Sequence, residues 1–239
     1  MVTHPQSSWI WKQRQIRTFL AILLLGALGG GIPARAFQER HPLTGRRIAP
    51  VMGAAGADWL DRSERDAEEK PEVGLDSLGL KPGMIVADVG AGSGYMSLRM
   101  AVRVGPTGKV LAEDVQPEML RLLKQNQATA RLTNIETVLG TETDPKLPEG
   151  KLDLILMVDV YHELSQPQKM LRKLREALKP DGRLVLFEYR KEDPSIPIKP
   201  EHKMSVQEAK TEVEAEGFHL SNVIETLPRQ HILVFTRQQ

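Results

Sequence analysis

The chain reads as an α/β protein, a doubly wound, mostly parallel seven-stranded sheet with an antiparallel C-terminal edge and helices on both faces. Three observations predict it. From residue 84 onward, short apolar runs alternate with helical patterns, as parallel strands alternate with crossover helices. The run Leu152 to Val158 is apolar at nearly every position, as suits a strand covered on both faces. The last two β-like runs, Leu220 to Thr226 and His231 to Thr236, are separated only by a turn, which implies an antiparallel pair. The 239 residues suffice for one such domain, a leader and a short accessory segment.

Taken in order, residues 1–36 form a unit of their own. Lys12, Arg14 and Arg17 precede an apolar run from Phe19 to Leu28, three glycines follow, and Ala34-Arg35-Ala36 closes the stretch. Basic region, short apolar region and small-x-small site are the order of a secretory signal peptide. The run is shorter than the roughly 20 residues of a spanning helix. The expectation is cleavage before Phe37, export to the periplasm or medium, and no stable membrane association afterwards. An uncleaved anchor or an organelle transit peptide is the alternative, and an unused signal leaves the protein cytoplasmic.

Residues 37–70 are rich in charge, Gly and Pro and read as an accessory or lid segment, with Trp59 as packing anchor. His41, Arg46, Arg47, Arg62 and Arg65 are its candidates to face a substrate. The main domain spans 71–239. Pro71 opens a short helix, and the Lys81-Pro82-Gly83 turn leads into a strand from Met84 to Val89. Helices are expected over Tyr95 to Val104, from Pro117 to about Ala130, from the capping-box spacing Ser165-Gln166-Pro167-Gln168 to Leu178, and over Ser205 to Glu216. Strands are expected over Lys109 to Asp114, Ile135 to Leu139, Leu152 to Val158 and Arg183 to Glu188. Pro180-Asp181-Gly182 should end the helix before the last of these.

Composition narrows the function. Without the four basic residues of the leader, 28 basic side chains remain against 31 acidic ones, so the domain has no electrostatic footprint for nucleic acid. There are no cysteines, which excludes disulfides, thiolate metal sites and a cysteine nucleophile.

Ligands of open α/β sheets bind beyond the carboxyl ends of the strands. The first strand ends in Asp88-Val89-Gly90-Ala91-Gly92-Ser93-Gly94, where bare backbone lets a ligand approach and the next helix points its N-terminus at it. The second ends in Glu113-Asp114. A carboxylate there accepts hydrogen bonds from the vicinal hydroxyls of a ribose. Together the two ends describe a pocket for a nucleoside with a short charged tail.

Residues 84–120 resemble the first two motifs of class I S-adenosylmethionine-dependent methyltransferases, and 151–164 and 178–186 resemble that family's fourth and fifth strand signatures. The likeness covers roughly residues 70–239. The resemblance implies S-adenosylmethionine as cofactor, with Asp88, Gly90, Ala91, Gly92 and Gly94 around its amino acid tail. It also implies Asp114 at the ribose, beside Val115, with Glu113 less suited because its side chain should face the other way. Where the family often has Gly-Asp at the adenine edge, this chain reads Gly140-Thr141-Glu142, so Thr141 or Glu142 takes that place. Asp159 leaves the fourth strand between cofactor and acceptor.

His162 and Glu163 follow and are the catalytic candidates. Either His162 takes a proton from the acceptor, oriented by Glu163, or it only walls the pocket. No metal is expected, since Asp159 and Glu163 offer two oxygen ligands without a third. The expected function is methyl transfer to a small-molecule acceptor. A protein acceptor of the isoaspartyl kind and a non-enzymatic nucleoside-binding module are the alternatives.

Overall fold

A computed structural model of the chain describes residues 40–238. The leader read from residues 1–36 lies outside them. Among the described residues no helix is long and apolar enough to cross a membrane.

The main domain runs β1 (Ile85–Val89), β2 (Lys109–Asp114), β3 (Ile135–Leu139), β4 (Leu152–Val158), β5 (Leu178–Arg190), β6 (Lys203–Met204), β7 (Phe218–Ile224) and β8 (Gln230–Arg237). The sheet order is β3-β2-β1-β4-β5-β8-β7, parallel up to β5 and antiparallel over β5-β8-β7. The two-residue β6 adds an eighth strand, parallel to the end of β5 through Tyr189 and Arg190. Strand order reverses between β1 and β4, which opens a crevice at their carboxyl ends.

Alternation along each strand feeds two cores. Ile155 and Met157 of β4 face one side, with Leu171 and Leu174 of the helix Pro167–Ala177 and Val213 of the helix Val206–Glu214. Leu154 and Leu156 face the other, with Leu75 and Leu78 from the Pro71 region, Met100 and Val104 of the helix Tyr95–Val104, and Leu123 of the helix Pro117–Thr129. Met96, Met100, Ala101 and Val104 are buried at helical spacing, so the apolar stripe dictates which face of that helix meets the sheet.

Two details differ from the sequence reading. Pro167 occupies the first turn of its helix, so Gln166 is the N-cap and Ser165 lies one residue too early to cap. The Ser165 hydroxyl donates to Glu142 Oε2 instead, at 2.8 Å. A capping box does form at the helix Val206–Glu214, where Ser205 Oγ accepts from Glu208 N at 3.1 Å and the Glu208 carboxylate accepts from Ser205 N at 3.1 Å. Second, Pro180-Asp181-Gly182 lies within β5, because Leu178 is already extended and pairs with Leu152 before a register shift.

The segment 40–70 packs onto the domain through buried charge. Arg46 makes a paired contact with Glu212 (Nε to Oε1 3.1 Å, Nη2 to Oε2 2.9 Å) and donates from Nη1 to the His162 carbonyl at 3.0 Å. The Thr44 hydroxyl donates to the same carboxylate, and His41 lies 3.5 Å from it. Ala49 N also donates to the His162 carbonyl, at 3.0 Å. Of the five basic candidates in this segment, His41 and Arg46 are thus buried staples, and Arg47 is exposed. Trp59 is 42% exposed with Arg62 stacked 3.9 Å above it, so it is not the anchor; Ile48, Ala49 and Ala57 are buried in that role.

Removing one partner from a buried charge pair leaves the other unpaired in low dielectric. Arg46→Ala should therefore lower the unfolding free energy by about 3–5 kcal/mol. Urea denaturation measures this, and Arg46→Ala/Glu212→Ala together should lose less than the sum of the two single changes.

Candidate active site

The crevice holds a cavity of about 570 Å³. It collects Asp88, Gly90, Ala91, Gly92, Asp114, Val115, Glu142, Asp159, His162 and Glu163, all singled out from the sequence. Two others are absent from its wall. Gly94 starts the helix Tyr95–Val104 and packs against Leu123, and Thr141 closes a turn on Asp144.

The loop after β1 is shaped by its neighbours. Gly90 has φ 72°, and a Cβ there would meet Val160 Cγ2 at 2.5 Å. Gly92 has φ 53°, and its N–H donates to Asp114 Oδ2 at 2.9 Å. Asp114 Oδ1 accepts from Gln116 N at 2.8 Å, so one carboxylate ties the loop after β1 to the end of β2. Each oxygen keeps a further lone pair for the cavity.

Charge gathers at the loop's inner end. Asp88 accepts from Ser97 Oγ at 2.5 Å, and burial pushes its pKa up to about 6. Asp159 takes a left-handed backbone (φ 55°), its Oδ2 accepting from Gln230 Nε2 at 2.8 Å while Oδ1 is buried without a partner. Burial, with Glu69 and Glu188 nearby, raises its pKa well above the carboxylate range. Opposite lies Arg65, held by Glu69 at 2.8 Å and the Leu60 carbonyl at 2.9 Å, its guanidinium 4.0 Å from the centre of the Tyr95 ring. Of the basic residues proposed for the lid, Arg65 alone lines the cavity.

Glu113 lines the same cavity as Asp114. Its Oε2 takes a long bond from Gly90 N at 3.4 Å, and Oε1 is buried without a partner. Burial first, and the Asp114 charge second, push its pKa up to about 8.

The far wall carries a histidine corner. His162 is 1% exposed, and its Nδ1 lies 2.5 Å from Glu188 Oε2. The other Glu188 oxygen accepts from Tyr161 N at 2.9 Å. With Nδ1–H donating to that carboxylate, His162 Nε2 carries the lone pair, and it faces His202 Nδ1 at 3.1 Å. Glu163 Oε1 lies 3.9 Å from His162 Nε2 and 3.6 Å from His202 Nδ1. Burial raises the Glu163 pKa to about 7, and burial with His162 beside it lowers that of His202.

So it is Glu188, not Glu163, that orients His162, and His202 lines the cavity beside it. Sequence reasoning misses Glu188 and takes His202 for a loop residue rather than a ligand. Glu188 had a signal, as a carboxylate at the end of the apolar run Leu184 to Phe187; His202, in a proline-broken loop, had none.

Residues 80–230 match the family described as "Methyltransferase domain". The chain belongs to that family, the class I S-adenosylmethionine-dependent methyltransferases. A solved S-adenosylmethionine-dependent methyltransferase from Aquifex aeolicus is 32% identical, with a TM-score of 0.72 over 77% of this chain and 98% of that one. A protein-L-isoaspartate O-methyltransferase of Methanothrix thermoacetophila is 33% identical over 46% of this chain and 50% of its own length. A 2-phytyl-1,4-naphthoquinone methyltransferase of Trichormus variabilis is 30% identical over 60% and 62%. The chain thus spans about half to two thirds of the length of the curated relatives it matches.

S-adenosylmethionine, the cofactor of this methyltransferase class, fits the residues present. Asp159, with its orphaned Oδ1, would hold the ammonium, Arg65 the carboxylate and Asp114 the ribose hydroxyls. Asp114→Ala should weaken binding by about 1.5–3 kcal/mol, the scale of hydrogen bonds to a charged group, as read by calorimetry.

Glu113 supplies a pH test. An acid held protonated in the fold stabilises it at low pH, and that contribution is lost as pH rises through about 8. Glu113→Gln mimics the protonated form, so its Tm should match wild type at pH 5 and exceed it at pH 9. A difference independent of pH would contradict the burial effect.

Proposed function

We propose that the chain methylates a small molecule with an apolar body whose nucleophile is unmasked by losing a hydroxyl proton: a phenol, an enol or a hydroquinone. One observation carries this reading. A cavity whose wall includes the apolar Val51, Met52, Leu60, Leu164 and Ile198 also carries a histidine pair backed by a buried carboxylate.

S-adenosylmethionine supplies an activated methyl group on a sulfonium. The protein's task is placement of the acceptor atom in line with it, worth several kcal/mol of barrier when the contact is held at about 3–3.5 Å. Val158, Val160 and Met52 keep water out. The hydrogen-bond chain from Glu188 through His162 leaves His202 Nε2 with the free lone pair, and that nitrogen takes the hydroxyl proton. The imidazolium formed is stabilised by His162 and Glu188 behind it. In this reading His162 positions His202, and Glu163 is a carboxyl group beside both rings.

The Trichormus relative is named for a naphthoquinone acceptor, which supports an aromatic ring carrying oxygens. The Methanothrix relative is named for protein isoaspartate, which makes a damaged peptide the second acceptor to test. Export also belongs to this proposal, on the order of basic, apolar and small residues in 1–36; a native protein beginning at Phe37, by intact mass, supports it, and one retaining Met1 overturns it.

The decisive assay is S-adenosylhomocysteine release with pooled phenols, hydroquinones and an isoaspartyl peptide. On the acceptor found, His202→Ala and His162→Ala should lower turnover by about 10²–10⁴-fold with cofactor affinity unchanged. Retention of more than about a tenth of wild-type turnover by His202→Ala removes the proton-accepting role.

A further inference from the structure

We propose that His162, Glu163 and His202 form a binding site for a divalent transition-metal ion of the zinc type. Their donor atoms (His162 Nε2, His202 Nδ1 and a Glu163 oxygen) lie within 4.8 Å of one another, and no other trio of this kind occurs among the described residues. The sequence pointed to Asp159 beside Glu163 as the only ligand pair. In the fold Asp159 turns to Gln230, and the missing ligands come from His162 and, forty positions on, from His202.

The spacing is close to that of a coordination sphere. Bonds of about 2.1 Å at 90–110° put neighbouring ligand atoms roughly 3.0–3.4 Å apart. The separation between the histidine nitrogens is 3.1 Å, and the two edges to Glu163 Oε1 are 3.6 and 3.9 Å. Shortening the longer edges takes a few tenths of an ångström from one partly exposed carboxylate and one loop histidine, which a rotamer adjustment supplies.

The second argument is independent of spacing. A metal-binding histidine must present a lone pair on the ligating nitrogen, and proteins fix this by giving the other ring N–H to a carboxylate. Glu188, with its side chain fully buried, does that to His162 Nδ1 at 2.5 Å, and its second oxygen is locked by Tyr161 N. The Nε2 lone pair is thereby aimed at His202 and Glu163. His202 reaches this place because Lys203 and Met204 pair as β6 with the end of β5.

Two imidazoles and one carboxylate select zinc, iron, manganese or cobalt over calcium and magnesium, which take oxygen donors. Three protein ligands leave at least one coordination position free, as in catalytic sites. All three residues line the cavity, so an acceptor oxygen is the natural occupant of that position. In the loaded protein a cation holds this oxygen as its anion, where the metal-free protein relies on the histidine pair. The site does not depend on which acceptor is used.

The test uses the full chain without a histidine tag, stripped by chelator, titrated with Zn²⁺ by calorimetry and with Co²⁺ by visible absorption. One equivalent per chain is expected, with the intense visible bands of a four- or five-coordinate cobalt ion. His202→Ala, at the more accessible ligand, should weaken Zn²⁺ binding by at least about 100-fold, and Glu188→Gln, which touches no metal, by about 10–100-fold. S-adenosylmethionine affinity reports that each variant is folded, and exposed His219→Ala should bind zinc as wild type does. Absence of stoichiometric binding, or binding unmoved by His202→Ala in the folded variant, overturns the site and reduces the trio to a hydrogen-bonded cluster. Neither outcome bears on the methyl acceptor, which the turnover assay decides.

Discussion

Everything functional in this molecule depends on the reversal of strand order between β1 and β4. There the loops leaving neighbouring strands turn to opposite faces, and the backbone amides at the crevice lose their sheet partners. Buried polar groups must find replacements. The protein supplies them with carboxylates from adjacent strands. Asp114, at the end of β2, accepts from Gly92; Glu113 accepts weakly from Gly90; Glu188, on β5, accepts from Tyr161 beyond β4. Each acid ties down the loop of the neighbouring strand, so the cavity is framed by side-chain-to-backbone bonds as well as by the sheet.

That solution makes the crevice rich in buried acid. Asp88, Glu113, Asp114, Asp159 and Glu163 all have raised pKa values, with burial the leading cause in every case. Arg65 and Lys199 are the basic side chains on the same wall. A cofactor carrying an ammonium and a sulfonium completes such a site electrostatically, whereas its carboxylate needs the one guanidinium present. These carboxyl groups would favour a cationic sulfonium over the neutral thioether left by methyl transfer.

The accessory segment is part of the same construction rather than a free flap. Arg46 and Ala49 both donate to the carbonyl of His162, and Arg46 reaches across to Glu212. The turn carrying the histidine is therefore gripped from two sides, by Glu188 from the sheet and by Arg46 from the segment before it. Sequence could show that residues 37–70 were different in kind, but the charged residues there looked like a solvated surface. Burial of an arginine depends on a partner 166 positions away, and no local pattern carries that information.

Legibility followed the range of the interactions. Strands, helices and the antiparallel edge were readable because hydrophobic period is local, and the cofactor loop because glycine spacing and the Glu113-Asp114 pair are local too. The histidine corner was half readable: His162 and Glu163 stand next to the fourth strand, whereas Glu188 and His202 join them only through β5 and β6 pairing. This half-knowledge misassigned the orienting carboxylate, because adjacency in sequence put Glu163 beside His162 while the fold gives Glu163 Oε1 3.9 Å and Glu188 2.5 Å. The tautomer follows from that distance. Once Nδ1–H is committed to Glu188, His162 can only accept at Nε2, whether the atom facing it is a ring N–H of His202 or a cation. One buried carboxylate thus fixes what the corner offers to any ligand, and the acceptor must match it with a group that yields a proton or an oxygen that binds in its place.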